Sequence, residues 1–190
     1  MDNSSPARRS LIDHLRVHAL RTDGPFTLAS GEVSPWYLDG RQTTYDGEGA
    51  RRVAACVLEV LATSVVGLGG MTMGADPIAV ATASLADRPL VAFSVRKAAK
   101  DHGVGERIVG PVSPGDRVAV VEDTTTTGAS LAEAIEVVRG AGIDVVQAIT
   151  IVDRSGGAAA ARLSGLGLEL LALVDAADLL DGLVSPGGGT

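Results

Sequence analysis

The chain has 190 residues, 46% of them apolar and 3% aromatic, with 24 glycines and a formal net charge of −7. That length carries one domain with a sizeable core, and the acidic balance argues against non-specific nucleic-acid binding. One cysteine, Cys56, rules out an internal disulfide, three scattered histidines assemble no structural zinc pattern, and no apolar run reaches membrane-spanning length.

Residues 1–9 read as disordered; Met1–Ser10 is polar and holds no hydrophobic signal core, so the expected location is the cytoplasm. Ser10 is placed to cap a first helix with an apolar stripe of Leu11, Ile12, Leu15 and Leu20. His14 and His18 stand one turn apart on it, but no third metal ligand is evident and both read as surface residues. Short extended pieces follow at 26–28 and 36–38, completing a small hood over 10–45. Asp46 or Gly47 opens a helix carrying Val53, Val57, Leu58 and Leu61, where Cys56 reads as a small buried apolar residue. Val65–Leu68 reads as a buried strand running into Gly69-Gly70.

Strand and helix then alternate: a helix at 77–86, a strand at 90–93, a polar segment over 94–115 that includes a long loop at 94–110, a strand at 117–122, a helix at 129–140, a strand at 145–152, a helix at 157–163 and a strand at 168–174. This order predicts an α/β fold with a mostly parallel sheet covered on both faces, a single domain over 10–183 and a disordered tail at 184–190. Ligands of such sheets bind beyond the carboxyl ends of the strands. Asp123, Gly69-Gly70, the polar segment and Asp153-Arg154 all fall there.

The stretch Val118-Ala-Val-Val-Glu-Asp-Thr-Thr-Thr-Thr-Gly128 is the most informative in the chain. A buried strand delivers two adjacent carboxylates, four hydroxyl residues and a glycine follow, and a helix opens at Ala129-Ser130. Carboxylates accept hydrogen bonds from vicinal ribose hydroxyls, while threonine hydroxyls and helix N–H groups face an anion. Gly128 lets the backbone approach that anion. The pattern suits a sugar phosphate gripped at both ends.

A second clue is a local inversion of charge. Arg96, Lys97, Lys100, His102 and Arg107 lie close together in an otherwise acidic chain. Taken alone, such a run is a solvated charged loop; beside the acidic strand end it becomes a candidate anion site. No P-loop is present, and Thr72 stands where a dinucleotide fingerprint needs its last glycine.

Several segments together resemble the type I phosphoribosyltransferases and, within them, the orotate phosphoribosyltransferase family. They are Phe26-Thr-Leu-Ala-Ser-Gly31 with Ser34, Tyr37, Asp39 and Arg41; Gly69-Gly-Met-Thr-Met-Gly-Ala-Asp-Pro77; Arg96-Lys-Ala-Ala-Lys-Asp-His-Gly103; Glu122–Ser130; and Val152-Asp-Arg154. The likeness runs from about residue 11 to 175. It implies a type I phosphoribosyltransferase fold and the conversion of orotate and 5-phospho-α-D-ribosyl 1-diphosphate (PRPP) to orotidine 5′-monophosphate and diphosphate. On this resemblance Glu122, Asp123, Thr124, Thr125, Thr126, Thr127, Gly128, Ala129 and Ser130 hold the ribose 5-phosphate. Arg96, Lys97, Lys100 and His102 hold the diphosphate. Thr126, Arg154, Tyr37 and Leu38 meet orotate. Asp123, Lys97, Lys100 and His102 are the expected catalytic residues. The resemblance further implies Mg2+ held mainly through PRPP, with no direct protein ligand set, and a homodimer in which Lys97 reaches the neighbouring subunit's site.

Physical chemistry agrees with these expectations. A planar arginine fork at position 154 matches a flat carboxylate. Leaving of diphosphate builds positive charge on the ribose, which Asp123 stabilises, and negative charge that the loop cations stabilise. Ala29 and Met73 depart from the family, which often has lysine at both places; backbone amides are the expected substitute. Decarboxylation of the product is expected to need a separate protein. The rival readings are a phosphoribosyltransferase for another base, and a PRPP sensor without catalysis. Trp36 reads as a packing residue.

Overall fold

The computed structural model describes residues 5–27, 31, 33–98 and 107–181. Its first helix, α1 (Pro6–His18), starts earlier than the sequence suggests. Ser5, not Ser10, is the cap: its side chain accepts from the Arg8 N–H, and Pro6 occupies the first turn, where its missing N–H costs nothing. Residues 5–9 are therefore ordered. Arg8 is the reason, being 5% exposed, donating to the Leu173 carbonyl at 2.9 Å and pairing with Asp178. A buried guanidinium so partnered fixes the helix start against the far side of the sheet. His14 likewise corrects its surface assignment: it is buried, with ring nitrogens against Thr43 Oγ1 (3.3 Å) and Asp46 Oδ2 (3.2 Å).

The hood is two small antiparallel ribbons. β1 (Leu20–Arg21) pairs with β4 (Tyr37–Leu38), and β2 (Phe26–Thr27) with β3 (Val33–Ser34). A short α2 (Arg41–Thr44) leads to α3 (Gly47–Val60), whose cap Asp46 accepts from the N–H groups of Glu48 and Gly49.

The central sheet has the strand order β10-β9-β8-β5-β6-β7 and is parallel except for β7. Its strands are β5 (Gly67–Met71), β6 (Val91–Val95), β7 (Ile108–Val109), β8 (Arg117–Thr125), β9 (Asp144–Asp153) and β10 (Leu170–Asp175); α4 (Ala75–Leu85), α5 (Ala129–Gly140), α6 (Ala158–Ser164) and α7 (Ala176–Leu180) complete the chain. Gly69 and Gly70 lie inside β5 rather than after it. A Cβ on either would come within 2.1 Å of the Phe93 carbonyl oxygen or 2.2 Å of the Val121 one, so no side chain fits there.

Alternating residues of β8 face opposite sides. Ala119 and Val121 pack with Leu11, Val53 and Ile78 on one face, and Val118 and Val120 with Leu131, Ile135 and Leu163 on the other. Each fully buried Leu or Ile contributes about 1.5–3 kcal/mol to holding these layers together. Chain order reverses at β5: β6 lies on one side of it, and β8, β9 and β10 continue away on the other. This is the switch point at which an open α/β sheet leaves a crevice.

Candidate active site

β5 and β8 pair only from Gly67↔Val118 to Gly69↔Val120, then separate. Beyond that point a cleft of about 580 Å³ opens, walled by the hood residues 37–41, the β5–α4 connection 71–74, Lys97, the strand end 122–124 and Ser130. Both acids lie on the strand, which continues past them. β8 runs to Thr125 because β9 keeps pairing with it, through Glu122↔Thr150 and Thr125↔Asp153. Backbone pairing thus fixes both carboxylates on the cleft floor.

Asp123 is held tightly. Its Oδ1 accepts from the Thr124 N–H at 2.8 Å, and glycines flank it. A Cβ on Gly74 would lie 2.8 Å from Oδ1 and 3.1 Å from Cγ, and one on Gly40 would lie 2.9 Å from Thr124 Oγ1. Burial raises the Asp123 carboxyl above its ordinary range, with the Thr124 N–H opposing. Burial and then the charge of Asp123 push Glu122 up to about 7, while the hydroxyls of Thr125 and Ser130 pull it down. Two acids in one poorly solvated place are well suited to hydroxyl donors and to positive charge.

At the mouth of α5 the chain turns through Gly128 at φ +70°, where an added Cβ would meet Ala159 at 3.0 Å. The buried Thr125 hydroxyl accepts from the Gly128 N–H at 3.1 Å, and Thr127 Oγ1 from the Ala129 N–H at 3.3 Å. Arg162 Nε donates to the Thr127 carbonyl at 2.8 Å, bracing the turn from α6. Thr126, Thr127, Ala129 and Ser130 are exposed at this helix end, and no side chain of Gly128 caps it. Apart from that of Ala129, its first-turn N–H groups have no side-chain cap, an arrangement that accepts an anion.

The β5–α4 connection is braced by Asp76, which accepts from Thr72 Oγ1 at 2.6 Å and from Ser94 Oγ at 2.7 Å. Met73 lines the cleft and is largely exposed, and its carbonyl accepts from the Tyr45 hydroxyl at 3.3 Å. In the hood wall Asp39 and Arg41 form an ion pair at 2.8 Å, and the hydrogen bond from Arg41 holds Asp39 below the usual carboxylate range.

Tyr37, Leu38, Lys97, Glu122, Asp123, Thr124 and Ser130 come together in the cleft wall. Arg96 is half-buried at the end of β6, while Thr126 and Arg154 lie outside the lining. Lys100 and His102 fall outside the described residues, as do Ala29 and the tail 184–190. Arg154 extends from the end of β9, its N–H donating to the Thr125 carbonyl at 2.9 Å. Its guanidinium sits 3.8 Å from the Trp36 ring centroid, its Nε is buried without a hydrogen-bond partner, and burial lowers its pKa. Asp153 does not neutralise it; that carboxylate accepts from the Ser155 N–H at 2.7 Å. Residue-by-residue reading of the sequence left Gly40, Gly74, Asp76 and Trp36 without a role in the site. The glycine and aspartate positions stood inside recognised segments; Trp36 carried no separate signal.

No family model matches the chain. An orotate phosphoribosyltransferase of Streptomyces avermitilis is 46% identical over 165 residues, 85% of this chain and 90% of its own length. Two structures of Mycobacterium tuberculosis H37Rv orotate phosphoribosyltransferase share the fold. The complex with Fe(III) dicitrate matches with a TM-score of 0.84 at 38% identity over 94% of this chain and 100% of that one. The complex with PRPP matches with a TM-score of 0.79 at 34% identity over 92% and 99%.

Proposed function

The chain belongs to the orotate phosphoribosyltransferase family, and we propose that its cleft transfers the phosphoribosyl group of PRPP to orotate, giving orotidine 5′-monophosphate and diphosphate in pyrimidine nucleotide synthesis. The observation that carries this reading is the pair Glu122–Asp123 on the cleft floor, followed directly by the open N-terminus of α5.

In this reading the 5-phosphate lies against the exposed turn 126–130, where N–H groups and hydroxyls converge. The ribose hydroxyls donate to Glu122 and Asp123. Lys97, with Arg96, Lys100 and His102, takes the diphosphate. Orotate enters between the Tyr37–Leu38 wall and Arg154, its carboxylate meeting the arginine fork and the Thr126 hydroxyl. As the anomeric C–O bond breaks, positive charge grows on the ribose beside the fixed carboxylates and negative charge on the departing oxygens beside Lys97. Both are opposed by charges already in place, so little reorganisation is needed. Orotate N1 then forms the new bond to the anomeric carbon.

Mg2+ fits this cleft as an ion carried by the substrate. Among the described residues no group of three or more His, Cys, Asp or Glu side chains could hold a metal, yet two partly buried carboxylates lie side by side on the floor. When bound it neutralises diphosphate charge and helps the leaving group depart. The family also supports a homodimer with shared sites. Lys97 lines the cleft of its own chain here, and sharing is the part of the reading that hybrid dimers test. A cytoplasmic setting agrees with the phosphorylated substrates, and among the described residues no helix is long and apolar enough to cross a membrane.

The test is turnover. With magnesium and PRPP, orotate absorbance falls as diphosphate appears in equal amount. Turnover with uracil or a purine but none with orotate overturns the substrate; no turnover of PRPP with any base favours a sensor.

A further inference from the structure

Arg107 belongs by sequence to the basic cluster, but its side chain is committed elsewhere. The ladder between β6 and β7, Ser94↔Val109 and Val95↔Ile108, continues into Arg96 and Arg107. There the Arg96 N–H donates to the Arg107 carbonyl at 2.8 Å, and Arg107 Nε returns a bond to the Arg96 carbonyl at 2.7 Å. Both backbone polar groups of Arg96 are thus taken by one residue. The far end of the same guanidinium pairs with Glu133 of α5. Glu133 stands three positions after Ser130, which lines the cleft, and Lys97, the next residue after Arg96, lines it too. Arg107 itself faces a separate depression bordered by Ile108, Val112, Pro114 and Ile143.

We propose that Arg107 is a positioning residue for Lys97: it ties the Arg96 peptide to the helix that presents Ser130, and so sets where the Lys97 backbone leaves the sheet. The proposal rests on the assignment of Lys97 to the diphosphate. A planar fork is needed because its two donors must reach a carbonyl and a carboxylate at once, which a lysine ammonium does with poorer geometry. A pyrophosphate-binding cation would instead point into the cleft with free donors. Small displacements of a charge-stabilising group cost large factors in rate, so the expected effect on the donor is substantial for a residue that never touches it.

The experiment is a double-mutant cycle on the full-length enzyme with Arg107→Ala and Lys97→Ala, read as kcat and KM for each substrate. Arg107→Ala is expected to lower kcat/KM for PRPP about tenfold with KM for orotate unchanged, and Glu133→Gln to act in the same direction more weakly. In the Lys97→Ala background, Arg107→Ala is expected to add less than twofold, because its route of action is gone. Arg107→Lys keeps the charge and is expected to recover only part of the loss; it replaces Arg107→Ala in the cycle if that variant fails to fold. Independent, multiplying effects overturn the proposal, as does an unchanged kcat/KM for PRPP in Arg107→Ala. If Lys97→Ala alone leaves PRPP kinetics untouched, the assignment of Lys97 fails, and a remaining Arg107 effect shows a route not through that lysine.

Discussion

The Arg154 guanidinium stacks on the Trp36 ring at 3.8 Å, joining the end of β9 to the hood. The indole covers one face of the fork, whose buried Nε has no hydrogen-bond partner. A partly desolvated cation–π contact is worth about 1–2 kcal/mol, or a factor of about 5 to 30 in affinity. Trp36→Ala is therefore expected to raise KM for orotate by that factor while leaving KM for PRPP alone, and Trp36→Phe to do so less. Arg154→Ala should cripple orotate use and spare PRPP binding. Steady-state kinetics with each substrate varied in turn checks both.

Gly74 matters through Asp123. An alanine methyl would sit 2.8 Å from Oδ1 and 3.1 Å from Cγ, so the whole carboxylate must move, not just its tip. Gly74→Ala is expected to cost about 1–3 kcal/mol of stability by overpacking and about a hundredfold in kcat/KM for PRPP by misplacing the carboxylate. Urea denaturation and initial rates separate the two effects.

Glu122 predicts an unusual dependence of stability on pH. Its carboxyl is raised from 4.5 to about 7, so the folded ligand-free protein holds that proton more tightly than the unfolded chain. The resulting stabilisation is complete below the unfolded value and is lost as pH rises through 7, a change of about 3 kcal/mol. Glu122→Gln should remove this slope and leave the variant relatively more stable at pH 8. Urea midpoints of both proteins at pH 5 and pH 8 test it; parallel pH profiles would contradict it. PRPP binding below pH 7 should release a proton, since ribose hydroxyls favour the ionised carboxylate.

Sharing of sites between subunits is open to a mixing experiment. Lys97→Ala and Asp123→Ala are each expected to be nearly inactive. If Lys97 serves the neighbouring site, hybrids of the two contain one intact site and recover activity on mixing. Stable hybrids without recovery would mean that Lys97 serves the cleft of its own chain, which it lines.

The sequence foretold the α/β layering because strand and helix periods alternate cleanly, and α5 has the expected bounds. It shortened β8 because Asp123 to Thr125 are polar, a strand signal only when the partner β9 is known. It placed Gly69-Gly70 beyond β5 because their crowding by Phe93 and Val121 is a three-dimensional fact. Ser5-Pro6 was a legible helix start, masked by the polar residues around it. The short α2, with the sequence Arg-Gln-Thr-Thr, has no apolar period to betray it. In the site, the two acids and the helix mouth were readable from residue chemistry. Trp36 packs against the core as expected, but its contact with Arg154 was not readable, because an aromatic beside a short strand looks the same whether or not it also carries an arginine.

The most direct measurement is a crystal structure of the protein with PRPP bound. The 5-phosphate is expected at residues 126–130 and the ribose hydroxyls on Glu122 and Asp123. A donor seated away from the end of β8, with those carboxylates untouched, would contradict it.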